Sequence, residues 1–279
     1  MAEIFRQAAA ANRHDPHREG NVVVLEGGCE VLVTGDIHGN RTALAKVIAV
    51  AQLDGHPQRR LILQEIIHGP VDPRSGHDRS IDLLLRSARL KIAHPEQVFF
   101  ILGNHDIAQV SGREITKDGR RVCEQFLAGI GYACGDAAAE VLDGVKEFLL
   151  SVPLAVRCPG GVFICHSVPG PKRMARGGTE ILRRAYTDAD LQRGGPVYEW
   201  TWGRGHDPEQ LEALAQQLGV EFFILGHRHT PCGWEQISPR GITIASDHEH
   251  GVLLQFPADT RLSAETVEQF VKPIAGIAP

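Results

Sequence analysis

Val31-Leu32-Val33-Thr34 runs straight into Gly35-Asp36-Ile37-His38-Gly39-Asn40, and the fold turns on how this junction is read. The apolar run has the length and composition of a buried strand, and the glycine after it lets the chain leave the sheet sharply. Asp36 and His38 stand two residues apart, so on extended backbone their side chains point the same way and can reach one cation. Asn40 is a helix N-cap, and apolar residues at 44, 47, 48 and 51 line one face of the helix it starts.

The same kind of junction recurs four times. Leu61-Ile62-Leu63 leads into Gln64-Glu65, and Phe99-Phe100-Ile101-Leu102 leads into Gly103-Asn104-His105-Asp106. Val162-Phe163-Ile164-Cys165 leads into His166, and Phe222-Phe223-Ile224-Leu225 into Gly226-His227-Arg228-His229. Each one alone reads as a turn, a helix cap or a loop. Together, five strand ends gather polar groups at the carboxyl edge of one sheet, where open α/β sheets bind their ligands. Oxygen and imidazole donors in this mixture suit Mn, Fe or Zn better than Ca.

Outward from these junctions, residues 3–13, 81–90 and 207–218 read as helices. Residues 120–150 are mostly helical, with breaks at Gly129, Gly131 and Gly135. Residues 22–25 and 31–34 read as strand, turn, strand, and 154–157 with 161–165 as a hairpin around Pro159-Gly160. Strands near 234–237, 242–245 and 252–256 follow, and the tail from Pro257 has no evident place in the core. Helices and strands that alternate and then give way to consecutive strands predict a mixed sheet. One domain over residues 1–279 is expected, with a motif-bearing core at about 22–256.

The 279 residues are 43% hydrophobic and 23% charged, which excludes a disordered chain. A net charge of −5 argues against a nonspecific nucleic-acid binder, which needs a basic excess. No apolar run approaches the roughly 18 residues of a membrane span, and residues 1–20 lack the apolar core of a signal peptide. A cytoplasmic protein with no membrane role is expected. The six cysteines form no CxxC pair and read as reduced core residues. The unusual count is 14 histidines. Five stand in the junctions, while His14, His17, His56, His77 and His94 sit in polar loops and read as surface. His206 needs no special role.

In this order GDIHG, GNHD, a strand-final His and GHRH resemble the motifs of the calcineurin-like metallophosphoesterase superfamily, particularly its serine/threonine phosphoprotein phosphatase branch. The resemblance extends from about residue 31 to 250. It implies an α/β fold, a four-layer α/β/β/α sandwich with mixed sheets, and a centre of two divalent metal ions (Mn, Fe or Zn). It places Asp36 and His38 on the first ion, and Asn104, His166 and His227 on the second. His229 matches a position that binds the first ion in many members and that the phosphoprotein phosphatases often lack. His105 is implied as the general acid.

The second motif departs from the family pattern GDxxDRG, because the chain reads Gln64-Glu65-Ile66-Ile67-His68-Gly69. The register puts Glu65 at the bridging position, where a carboxylate spans ions roughly 3.5–4 Å apart. Its extra methylene must be absorbed by the backbone or the rotamer. An Asp-Arg pair reappears after an insertion, at Asp78-Arg79, before the 81–90 helix. In that alignment Asp78 orients His105, and Arg79 binds substrate phosphate through its bidentate fork. Without an insertion, His68 and Gly69 stand at those places. The insertion is preferred, since Asp-Arg followed by a helix matches the family on both sides. Arg204, in Trp200-Thr201-Trp202-Gly203-Arg204-Gly205, is either a second phosphate-binding residue or an ordinary loop arginine. His248 and His250 follow a strand and are candidates to line the site.

The chemistry expected of this set is hydrolysis of a phosphate ester. Two cations sharing a carboxylate lower the pKa of a bridging water, giving a hydroxide that attacks phosphorus. The cations and Arg79 neutralise the phosphoryl oxygens, and His105 protonates the leaving oxygen. The expected activity is a phosphatase acting on phosphoprotein or another phosphate monoester. The alternatives are a phosphodiesterase or dinucleoside polyphosphate hydrolase on the same centre, and a metal-binding protein in which Glu65 weakens catalysis.

Overall fold

Alternation along a strand sends neighbouring side chains to opposite faces, and here both faces are buried. In the strand Glu30–Asp36, Val31 and Val33 enter one apolar layer while Leu32 enters another. The computed structural model describes residues 1–174, 178–204 and 206–277 and contains two large sheets. Five strands form one of them, in the order Val271–Pro273, Val252–Pro257, Glu30–Asp36, Arg59–Gln64 and Val98–Ile101. The last three run parallel, and Val252–Pro257 is antiparallel to Glu30–Asp36. The other sheet has seven strands, at whose centre Val162–Cys165, Phe222–Leu225 and Gly241–Ile244 run parallel.

The inner layer between the sheets is built from Val31, Val33, Ile62, Phe99 and Ile101 of one and Val162, Ile164, Phe222, Ile224 and Ile242 of the other. The outer faces carry helices. Phe100 meets Phe148 of the helix Ala138–Leu149 with ring centres 5.2 Å apart, and Phe163 meets Trp200 of the helix Pro196–Trp202 at 6.1 Å. The result is the four-layer α/β/β/α sandwich with mixed sheets that the resemblance implies. Among the described residues no helix is long and apolar enough to cross a membrane.

Three local expectations are corrected. The five junctions do not share one sheet: three end strands of the five-stranded sheet, and those before His166 and Gly226 end strands of the seven-stranded one. Periodicity tells which faces are apolar but not which sheet a strand joins, so Val22–Val24 and Glu30–Asp36 also part company. The tail does have a place, because Val271–Pro273 pairs with Val252–Pro257 and Leu262, Val267 and Ile274 are buried. The helix Val122–Cys134 passes through Gly129 and Gly131 and ends only at Gly135, whose φ is +52°.

The sheets touch at their carboxyl ends. Asp36 forms a parallel bridge with Ala245, Gly35 N–H donates to Ser246 Oγ at 2.9 Å, and Ser246 N–H donates to the Asp36 carbonyl at 3.2 Å. A Cβ on residue 35 would collide with the Ile244 backbone, so the approach requires glycine.

The amino-terminal helix Ala2–Arg13 packs Phe5 on Phe148, and the chain after it is held by a buried ion pair. Lys91 Nζ lies 2.7 Å from Asp15 Oδ2, 2.6 Å from the Pro95 carbonyl and 4.9 Å from the centre of the Phe99 ring. Phe99 belongs to the strand that delivers Asn104 and His105. Asp15→Ala would strand the ammonium inside, and the expected loss of stability is about 3–5 kcal/mol in urea unfolding. A loss below about 1 kcal/mol would show that Lys91 relaxes to water at little cost.

Candidate metal centre

Four non-glycine residues at the junctions adopt left-handed backbone: His38 at φ +40°, Glu65 at +42°, His68 at +62° and His227 at +68°. Such conformations cost on the order of 1–3 kcal/mol each and persist where the surroundings enforce them. The first two junctions brace one another. The Ile37 and His38 N–H groups both donate to the Glu65 carbonyl, at 3.1 and 2.8 Å, and Gly39 N–H donates to Ile66 O at 2.9 Å.

Hydrogen-bond partners assign the ring nitrogens. His38 Nδ1 donates to the Ile67 carbonyl at 3.1 Å, so its Nε2 carries a lone pair, 3.4 Å from Glu65 Oε2. His166 Nδ1 donates to Gln64 Oε1 at 3.0 Å, and Gln64 is itself oriented by donating Nε2 to the Thr34 carbonyl at 2.8 Å. His166 Nε2 therefore also presents a lone pair. It faces Glu65 Oε1 at 3.4 Å, Asn104 Oδ1 at 3.0 Å and His227 Nδ1 at 3.2 Å. His227 Nδ1 lies 2.7 Å from Asn104 Oδ1. Asp36 completes the set, its Oδ1 3.5 Å from His166 Nδ1.

Oxygen and imidazole nitrogen atoms that can act as metal ligands thus converge in one buried space, and His227 Nε2 there has no hydrogen-bond partner. Glu65 belongs to two groups of possible ligands, one with His38 and His105 and one with Asp36 and His166. The mixture of carboxylate oxygen, amide oxygen and imidazole fits divalent metal ions, which the structure could hold at these residues. Burial keeps the imidazoles neutral, as ligation requires: His38 is pushed down to about 4 and His227 to about 3, and His166 lies well below its ordinary value. Burial acts oppositely on the carboxyls, raising Asp36 to about 7 and Glu65 well above its usual range.

The extra methylene of Glu65 is absorbed at Gly103, the residue before the helix Asn104–Ser111. A Cβ there would occupy the space of Glu65 Cγ and Oε1. Glu65 Oε1 also accepts the His105 N–H at 2.7 Å, which pins the carboxylate over the helix start.

Most predicted site residues converge. Asp36, His38, Glu65, Asn104, His105, Arg204, His227 and His229 line a cavity of about 560 Å³, and His166 is buried among the same donors. Arg204 reaches it because Ser167 Oγ, one residue past His166, donates to the Gly203 carbonyl. His229 stands at the mouth, its ring 5.0 Å from that of His248 and grouped with Asp247 rather than with Asp36 and His38.

Asp78 and Arg79 are the exceptions, and the placement assigned to them is corrected. The orienting position beside His105 is held by His68, whose Nδ1 lies 2.8 Å from His105 Nδ1. His68 Nε2 in turn lies 2.9 Å from Gln109 Oε1. Asp78 accepts the Ser80 N–H at 2.7 Å and forms an antiparallel bridge with Val71 that closes the intervening loop. Arg79 is drawn to Asp82 at 2.9 Å and lies 5.4 Å over the Tyr132 ring. Neither is among the residues lining the cavity. In the fold His68, and not Asp78, stands beside His105.

Gln64, Gln109, Lys117 and Asp247 were missed because an amide, or a charge in a loop, has no periodic signature. His206 is buried, and burial together with the Arg228 charge pushes it down to about 4, a state no loop sequence announces.

Comparison with known proteins bears on the family and on the fold. The sequence pattern of the calcineurin-like phosphoesterases matches residues 30–231. In structure the chain is similar to a serine/threonine phosphatase from Saccharomyces cerevisiae with similarity to human phosphatase PP5. The TM-score is 0.70 at 17% identity, over 98% of this chain and 92% of that one. It is also similar to a cold-active protein-tyrosine phosphatase of a psychrophilic Shewanella species, with a TM-score of 0.58 at 14% identity, over 91% and 84% of the two chains. These likenesses show a shared fold. No curated relative matches the chain in sequence.

Two outcomes follow from the donor set. Gln64→Ala frees the His166 ring and should weaken binding of a divalent cation by about 10- to 100-fold, read by titration calorimetry. An unchanged affinity would remove Gln64 from the centre. Because burial holds a proton on Asp36 up to about pH 7 and raises Glu65 well above its usual range, a cation must displace these protons. Affinity should therefore fall as pH drops below about 7, with proton release visible as a dependence of binding heat on buffer. Affinity flat from pH 8 to about 5.5 would contradict this.

Proposed function

The chain belongs to the calcineurin-like phosphoesterase family, and from that premise we propose that it is a dinuclear-metal phosphatase that hydrolyses phosphate monoesters. The observation that carries the proposal is Glu65. Its two oxygens face different donors, Oε2 toward His38 Nε2 and Oε1 toward His166 Nε2, each at 3.4 Å. Asp36 and His38 would hold one ion and Asn104, His166 and His227 the other, with Glu65 shared. When bound, the ions supply Lewis acidity toward the phosphoryl oxygens and a water of lowered pKa.

The chain's own groups do the rest. Arg204 meets the anionic ester at the cavity wall, where its fork matches phosphoryl oxygens. His105 is the general acid. With Gln109 Oε1 accepting from His68 Nε2, His68 Nδ1 is an acceptor and takes the His105 Nδ1 proton. His105 Nε2 then carries a proton only in the imidazolium form. Burial and the neighbouring imidazoles His38 and His68 disfavour that form. A bound dianion supplies the missing opposite charge, so His105 becomes protonated as substrate binds and passes that proton to the leaving oxygen.

The structural neighbours carry the names of phosphoprotein phosphatases, which supports a phosphorylated protein side chain, or a small ester of the same chemistry, as substrate. His105→Gln should lower kcat on an alkyl phosphate by about 10²–10⁴-fold while the metal content stays at wild-type level. Wild-type turnover in that variant would discard His105 as the acid. Rates on a monoester, a diester and a dinucleoside polyphosphate decide the substrate class, and a faster diester or polyphosphate would replace the proposal. Two bound ions without hydrolysis of any of the three would point to a centre that has lost catalysis.

A further inference from the structure

The cavity faces a charge problem. A dianionic ester would present phosphoryl oxygens beyond those that ions at Asp36 and Glu65 would meet, yet Arg79, the cation that the sequence offers for them, is tied to Asp82 outside the cavity. Arg228 borders the cavity but reaches Glu235 at 3.7 Å. One further cation stands at the wall with Arg204: Lys117.

Lys117 arrives on a dedicated element. Thr116–Lys117 and Arg120–Arg121 form a two-stranded hairpin, and its turn residues Asp118 and Gly119 have φ of +52° and +73°, as a type I′ turn requires. A hairpin this short does not stand alone in water. Its base is fixed by the Glu114 carboxylate, which accepts the N–H groups of Ile115 and Cys123 at 2.9 Å each and of Glu124 at 3.2 Å. Ile115 adds an apolar contact to the small cluster of Ala108, Val122 and Cys123. The hairpin is thereby rooted on the helix that carries Asn104 and His105 and on the one that follows.

Across the cavity mouth, Lys117 Nζ faces Asp247 Oδ2 at 3.7 Å, with the lysine side chain 43% exposed. That distance is beyond hydrogen bonding, and a pair so exposed to water is weak. The lysine lines the same cavity as Asp36, His38, Glu65 and His105. It is therefore anchored at its root, loosely held at its tip, and near the reacting centre.

We propose that Lys117 is a substrate-binding residue whose ammonium exchanges Asp247 for the phosphoryl oxygens of the bound ester. The assignment rests on the proposed phosphatase function for its substrate, but not for its anion. The test uses the full chain loaded with Mn²⁺, with inorganic phosphate as the probe in titration calorimetry and an aryl phosphate in steady-state kinetics. Lys117→Gln should weaken phosphate binding and raise KM by about 10- to 100-fold, with kcat changed less than about threefold. Lys117→Arg should restore most of both. Asp247→Asn should tighten phosphate, since it releases the ammonium.

If the Lys117–Asp247 pair is only a clamp on the hairpin, both neutralising variants weaken phosphate together, and the proposal fails. It also fails if Lys117→Gln binds phosphate like the wild type. Phosphate binding that depends on Lys117 in a protein that hydrolyses no ester would sink the phosphatase function while leaving Lys117 as the anion-binding residue. Hydrolysis that is indifferent to residue 117 would do the reverse.

Discussion

Two sheets packed face to face touch at their carboxyl ends at Gly35, and the rest of the centre depends on that contact. Strands packed face to face stand about 10 Å apart, too far for side chains at their ends to share an ion without help. Here the Glu30–Asp36 strand comes into backbone contact with the segment after Gly241–Ile244, through the Asp36–Ala245 bridge and the Ser246 hydroxyl. The absence of one Cβ at residue 35 permits it. Asp36 and Glu65 from one sheet can then reach His166 and His227 from the other.

The convergence has an energetic cost that the fold itself does not recover. Carboxyl groups and imidazoles are buried within 3.4–3.5 Å of one another, and four residues at their junctions are held in left-handed backbone. Raised carboxyl and lowered imidazole pKa values are two faces of the same desolvation. Both leave the protein in the state that a cation binds once the carboxyl protons depart.

Around this centre the chain has its own solutions. Glu65 is a methylene longer than the family's aspartate, and the start of the Asn104–Ser111 helix makes room for it at Gly103. A neutral imidazole, His68, stands against His105 where a carboxylate would hold a positive charge in place. The hairpin of Lys117 and the loop of Arg204 border the same cavity, so two of its cationic groups come from segments outside the strand-end junctions.

The five strand-to-loop junctions and the residue types that follow them were legible from sequence. Apolar runs, glycines and donor spacing are local properties, and local sterics enforce them. They carried the family, the four layers and nearly all of the inner donor set, including Glu65. The sequence could not say that the junctions come from two sheets, because a strand's alternation is the same whichever partner it pairs with. Nor could it choose between His68 and Asp78, since the choice depends on whether the loop after Gly69 returns to the site. The structure closes that loop at Val71 and Asp78 and spends Arg79 on Asp82. Residue chemistry and order were written along the chain. Which side chains share a space was decided by backbone hydrogen bonds and packing between segments far apart in sequence, and those exist only once the chain has folded.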